Sequence, residues 1–123
     1  MSKCATCEAV VLVVEDSALV RLILIDFLES AGFAVIEAKD AAAALQVLET
    51  GADFHVVFTD IQGPGPIDGM ELAHRVCEQR PGVPVVVTSG RIDPGPLPPG
   101  GRFVPKPYDN HKVVTLLREL VAA

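Results

Sequence analysis

A chain of 123 residues that is half hydrophobic is long enough to bury one core, and 16 acidic against 10 basic residues disfavour nucleic acid or anionic lipid as a partner. No apolar run approaches a membrane span and the opening MSKCATCEA lacks a signal-peptide core, so a cytoplasmic location is expected. Three cysteines are too few, and odd in number, for a disulfide framework. Cys4 and Cys7 form a C-x-x-C, but no second ligand pair completes a zinc site and a strand rather than a helix N-terminus follows. Residues 1–8 therefore read as a flexible arm ahead of one domain over 9–123, and Cys77 reads as a small buried apolar residue in a helical pattern.

Two kinds of segment alternate along the chain. Val10-Val11-Leu12-Val13-Val14 is a β-branched run without polar alternation, as expected of a central parallel strand covered on both faces. Residues 18–31 have helical period, with Ser17 as N-cap and Gly32 as the stop. Residues 33–38 form a second strand, and Asp40 caps an alanine-rich helix over 41–50 that Gly51 closes. A third strand covers 55–59 and ends at Asp60. A helix over 69–80 stops at Pro81-Gly82, strands follow at 84–88 and 102–104, and a last helix covers 110–121. Strands alternating with helices specify an α/β fold, a doubly wound five-stranded parallel sheet with right-handed crossovers.

One stretch breaks the alternation. Between Thr88 and Phe103, eight of fourteen residues (SGRIDPGPLPPGGR) are proline or glycine, so the helix due there is expected to be lost or degenerate. Pro96-Leu97-Pro98-Pro99 matches P-x-x-P formally and reads better as an irregular crossover than as a ligand for a proline-binding domain. His55, His74 and His111 share no metal-ligand spacing and read as structural or solvated.

In an open parallel sheet, ligands sit beyond the carboxyl ends of the strands. Those ends carry Glu15 and Asp16 after the first strand, Asp60 after the third, Thr88 after the fourth and Lys106 after the fifth. Three acids brought together repel one another unless a cation compensates them, and oxygen donors without histidine or cysteine suit Mg²⁺. A phosphoryl site accounts for the set. Asp60 is the nucleophile, Lys106 supplies a second positive charge, Thr88 offers a hydroxyl to a phosphoryl oxygen, and the irregular loop leaves the Gln62 carbonyl free as a metal ligand. Any one acid at a strand end is more simply a turn or cap residue; the four parts together carry the reading.

The stretches VVLVVEDS, VVFTDIQ, VVVTSG and FVPKPY together resemble the receiver domain of two-component response regulators over essentially the whole chain. That resemblance implies a flavodoxin-like sheet of order 2-1-3-4-5, with Asp60 as phosphoacceptor for a histidine kinase or a histidine phosphotransfer protein. It implies Mg²⁺ held by Glu15, Asp16, Asp60 and the Gln62 carbonyl, catalytic roles for Thr88 and Lys106, and a cis Lys106-Pro107 peptide. Thr88 and Phe103 would form the switch. Such a chain is a stand-alone signalling phosphoacceptor, not an enzyme beyond self-phosphorylation and autodephosphorylation. It would be a monomer or weak dimer acting through an unknown downstream protein. A non-phosphorylated interaction module on the same fold is the alternative. An aspartyl phosphohydrolase would want a second acid two residues after Asp60, and a nucleotide-binding protein a G-x-x-x-x-G-K-[ST] loop; both are absent.

Three features depart from the family. Gly63 stands where the family usually has a large apolar residue, and Gly65-Pro66-Ile67 lengthens that loop by one residue. Gln62 and Gly90 flank the path of the hydrolytic water, and the 89–102 loop takes the place of a helix at the face through which receivers signal. On the first helix, Val20, Ile23, Leu24, Phe27 and Leu28 read as the core stripe, leaving Leu19, Leu22 and Ile25 as an exposed apolar flank. Receivers commonly dock their phosphodonor on the first helix, so that flank is the expected docking surface.

Overall fold

The computed structural model describes residues 9–62, 65–90 and 94–122, so the expected arm over 1–8, Cys4 and Cys7 within it, and Gly63 and Pro64 lie outside the described residues. Five strands and four helices alternate as β1 (Val10–Val14), α1 (Ala18–Ser30), β2 (Ala34–Ala38), α2 (Ala41–Glu49), β3 (Val56–Asp60), α3 (Gly69–Gln79), β4 (Val85–Ser89), β5 (Arg102–Pro105) and α4 (Asn110–Ala122). All neighbouring strands pair in parallel, in the order β2-β1-β3-β4-β5. The two central runs, VVLVV and VVFTD, are apolar because both faces of their strands are covered.

Alternation of side chains divides those strands between two cores. Leu12, Val14, Val57, Val85 and Val87 pack with Leu45, Leu48, Leu72 and Val76 of α2 and α3. Val11, Val13, Val56, Phe58 and Val86 pack with Leu24, Leu28, Val113 and Leu117 of α1 and α4. Local chemistry ends the helices where the sequence places the ends. Ser17, Asp40 and Asp68 accept from the amides of Val20, Ala43 and Glu71, and Gly32 turns the chain out of α1 at φ 97°. His55 is structural: its Nδ1 accepts from the Val10 amide at 2.9 Å while its own amide donates to the Val10 carbonyl at 2.8 Å, clamping the start of β1 to β3. His111 lies edge-on to Phe27 with ring centres 4.8 Å apart, and His74 is exposed.

Among the described residues, 94–101 between β4 and β5 contain no helix. A strap takes its place: Pro98 is buried, Leu97 packs against the α2–α3 core beside Phe103, and the Gly101 amide closes a turn onto the Pro98 carbonyl at 2.9 Å. The P-x-x-P stretch thus spends its central residues on the core. Residues 91–93 of the same loop lie outside the described residues.

Two expectations need correction. Ile25 is 8% exposed and belongs to the core, whereas Val20 and Ile23, assigned to the core stripe, are 39% and 44% exposed. The helix is rotated from the sequence phase because ALVRLILI is apolar at nearly every position, so periodicity alone does not choose its inner face. The exposed apolar set is Leu19, Val20, Leu22 and Ile23. Cys77 is half-buried on α3 rather than enclosed.

Candidate functional site

The parallel register brings the expected residues to one edge. Asp60 is the register partner of Thr88 on β4, and Val14, the last residue of β1, is the partner of Thr59. Glu15 and Asp16 follow β1 directly, and Lys106 follows β5 with its amide bonded to the Ser89 carbonyl at 2.9 Å. Carboxylate oxygens of Glu15, Asp16 and Asp60 all lie within 4.8 Å of one another. Glu15 and Asp60 are buried and Asp16 is exposed, so the cluster opens to solvent on one side.

Lys106 Nζ donates to Asp60 Oδ2 at 2.5 Å and stands 3.8 Å from Glu15 Oε1. The other Asp60 oxygen, Oδ1, accepts from the Gln62 amide at 2.9 Å, which turns the chain sharply at the strand end. Glu15 Oε2 accepts from the Ser17 amide at 3.0 Å. Burial raises the Glu15 pKa above the ordinary carboxylate value against the Ser17 amide and the Lys106 charge, which favour the anion. For Lys106, burial opposes the charge, but the hydrogen bond and charge of Asp60, aided by Glu15 and Asp16, hold its pKa above the ordinary lysine value. Burial together with the Glu15 and Asp60 charges pushes the Tyr108 hydroxyl up to about 12. Tyr108 packs edge-on against Phe58 beneath the site, with ring centres 5.4 Å apart.

Three buried polar atoms at or beneath this edge make no hydrogen bond: Glu15 Oε1, the Thr88 hydroxyl and the Tyr108 hydroxyl. Buried polar groups without partners are uncommon and call for an absent one. Three carboxylates with a free buried oxygen among them fit a hard divalent cation such as Mg²⁺, and a free hydroxyl beside Asp60 fits an incoming anion's oxygen. Lys106-Pro107 is cis, as expected. Phe103 is half-buried and pairs in register with Val87, packing on the α2–α3 side.

Two contributors escape the sequence. Gly69 begins α3 so close to β3 that a Cβ there would overlap the carbonyl group of Asp60. Its signal was the Asp-Gly pair opening a helix, where glycine is otherwise a poor choice. Arg21 of α1 donates to the Glu15 carbonyl at 2.7 Å. Its signal was a lone cation in an apolar run, close to the positive end of a helix dipole.

The sequence model of the response regulator receiver domain matches residues 11–96. The chain belongs to that family. It is 30% identical over 122 residues to the transcriptional regulatory protein FixJ of Bradyrhizobium diazoefficiens, covering 94% of this chain and 58% of that one. It is 29% identical over 120 residues to the sensor kinase CckA of Brucella abortus, covering 93% of this chain and 13% of that protein. The chain thus spans only part of the relatives it matches. Among solved structures, a response regulator receiver protein from Sinorhizobium medicae superposes with a TM-score of 0.87 at 29% identity, covering 94% of this chain and 96% of that chain. The receiver domain of the hybrid histidine kinase CckA superposes with a TM-score of 0.80 at 29% identity, covering 92% and 99%. The receiver fold of order 2-1-3-4-5 is thus shared with these solved structures. Among the described residues no helix is long and apolar enough to cross a membrane.

Proposed function

We propose that this receiver accepts a phosphoryl group on Asp60 from a histidine kinase or a histidine phosphotransfer protein, in a Mg²⁺-dependent reaction that changes its affinity for a downstream protein. The observation that carries the reading is Asp60 itself, held at the end of β3 by Lys106 and facing Glu15 and Asp16 within 4.8 Å. Glu15, Asp16, Asp60 and the Gln62 carbonyl are the residues that would hold the cation. When bound, Mg²⁺ neutralises charge on the transferring phosphoryl group.

The residues of the chain account for the rest. An Asp60 carboxylate oxygen attacks the donor's phosphorus in line; the new O–P bond forms as the P–N bond to the donor histidine breaks, and its electron pair leaves on the imidazole nitrogen. Lys106, bonded to Asp60 before reaction, is placed to pair with the phosphoryl oxygens afterwards. Thr88, whose hydroxyl has no partner, donates to one of them. Drawing Thr88 onto the phosphoryl group biases β4, the strap after it and Phe103 toward a second arrangement. The chain acts as a phosphoacceptor in the cytoplasm, as a monomer or weak dimer, with no enzymatic turnover beyond its own phosphorylation and dephosphorylation.

The donor docks on α1. Leu19 and Leu22 are 69% and 59% exposed, and Val20 and Ile23 line a cavity of about 440 Å³ that also touches Lys106, Pro107, Tyr108 and Asn110 beside the site. Leu22→Glu is expected to slow phosphotransfer with the fold intact; normal transfer kinetics would count against this surface.

Titration with beryllofluoride in the presence of Mg²⁺ tests the main reading. Wild type should bind tightly and Asp60→Asn should not. Binding that survives Asp60→Asn, or none in either protein, overturns it in favour of a non-phosphorylated interaction module.

A further inference from the structure

Arg21 is placed against the electrostatics of its own helix. It lies one turn into α1, where the positive end of the dipole disfavours a cation, and its side chain is only 16% exposed. Two acceptors hold it there. Nη1 donates to the backbone carbonyl of Glu15 at 2.7 Å and Nε donates to Glu37 Oε1 of β2 at 3.0 Å. A planar guanidinium reaches both at once, and the Glu37 bond stops it from turning away from the carbonyl.

The carbonyl it holds lies one residue past the end of β1, where the sheet ladder stops. Every other polar handle of Glu15 is also engaged, apart from one oxygen. Its amide donates to the Ala38 carbonyl at 3.1 Å, its Oε2 accepts from the Ser17 amide, and its Oε1 alone is left without a hydrogen bond. Glu15 is thus pinned by β2, by the start of α1 and by Arg21, which leaves Oε1 without a hydrogen bond and 3.8 Å from Lys106 Nζ. The peptide carbonyl that Arg21 grips is the one joining Glu15 to Asp16, so its orientation also fixes the exposed Asp16 relative to Asp60.

We propose that Arg21 is the positioning residue of the acid pair: by fixing the Glu15–Asp16 peptide it sets the affinity of this site for a divalent cation. The inference rests on the Mg²⁺ reading above and touches neither Asp60 nor the donor surface. Partners one step removed from a metal typically change affinity by about 10- to 100-fold when lost.

The experiment is a calorimetric titration of Mg²⁺ alone into wild type, Arg21→Met, Arg21→Lys, Glu37→Gln and Asp16→Asn, with the Glu15 and Asp16 amide resonances followed in the metal-free proteins. Arg21→Met keeps the aliphatic stem and should weaken Mg²⁺ binding on the order of tenfold while shifting both amides. Arg21→Lys, which keeps charge but reaches one acceptor, should fall between Arg21→Met and wild type, and it carries the test if Arg21→Met does not fold. Glu37→Gln should stay within about twofold of wild type, because the amide carbonyl oxygen of glutamine can still accept from Arg21 Nε. Unchanged Mg²⁺ affinity in the Arg21 variants, with only thermal stability lowered, would make Arg21 a structural staple and overturn the proposal. If wild type binds no Mg²⁺, or Asp16→Asn binds as well as wild type, the metal reading itself fails. The amide shifts then decide whether Arg21 orients the pair at all: unshifted resonances in Arg21→Met overturn that as well.

Discussion

At the C-terminal edge of β1, β3 and β5, the side chains of Glu15, Asp60 and Lys106 are fixed by strand register and by specific hydrogen bonds: Lys106 to Asp60, the Gln62 amide to Asp60, the Ser17 amide to Glu15. Between β4 and β5, a few residues away, the described chain has no helix and is held by Leu97, which packs against the α2–α3 core, and by the buried Pro98, whose carbonyl accepts from the Gly101 amide. The first region draws its order from the sheet, so the absence of a helix does not reach it. The geometry at the strand ends can therefore stay intact while the surface after β4 is rebuilt.

Gly69→Ala should have the largest effect, because it strikes the edge itself. Its Cβ would overlap the Asp60 carbonyl group, and backbone has little room to give. A loss of about 3 kcal/mol in urea denaturation is expected, with phosphorylation impaired in what remains folded. Unchanged stability in Gly69→Ala would mean that α3 and β3 are not rigidly apposed.

Leu97→Ala strikes the strap alone. The side chain is half-buried, so a loss of about 1 to 2 kcal/mol is expected with Mg²⁺ affinity unchanged. A change in Mg²⁺ affinity would break the independence of the two regions. Gly90→Glu sits where they join: Gly90 follows β4, and a Cβ there meets open space. If that space is the path of the hydrolytic water, the substitution should lengthen the phosphoryl half-life on the order of tenfold, or about 1.4 kcal/mol of barrier. An unchanged half-life removes the idea.

The two regions also differ in how far the sequence discloses them. Asp60, Thr88 and Lys106 were legible because a polar residue ending a β-branched run has one place to go, the edge of the sheet. Strand and helix limits fell within a residue of expectation because Ser17, Asp40, Gly32 and Gly51 punctuate them chemically. The inner face of α1 was not legible, since a helix apolar on nearly all sides carries no phase, and Ile25 was exchanged for Val20 and Ile23. Arg21 was missed because its role lies in a backbone carbonyl, which leaves no trace in side-chain patterning. Proline and glycine said that 94–101 would not be helical, but not that Leu97 and Pro98 would fill the helix's place.

Thr88 connects the two regions, and its removal should cost least. Its hydroxyl is fully buried and makes no hydrogen bond, so the folded state already bears the loss of its hydration. Thr88→Val keeps the shape and deletes the orphan, so stability in urea should hold or rise by up to about 1 kcal/mol. Coupling should vanish nonetheless. In wild type, beryllofluoride with Mg²⁺ is expected to alter amide exchange at Leu97, Gly100 and Gly101, the amides within and just after the strap's prolines. In Thr88→Val the ligand should still bind through Asp60 and Lys106, while exchange at those amides stays at its unliganded rate. Equal protection changes in both proteins would show that the strap senses the phosphoryl group without Thr88. No change in either would mean that the strap is packing and the signal leaves by another face.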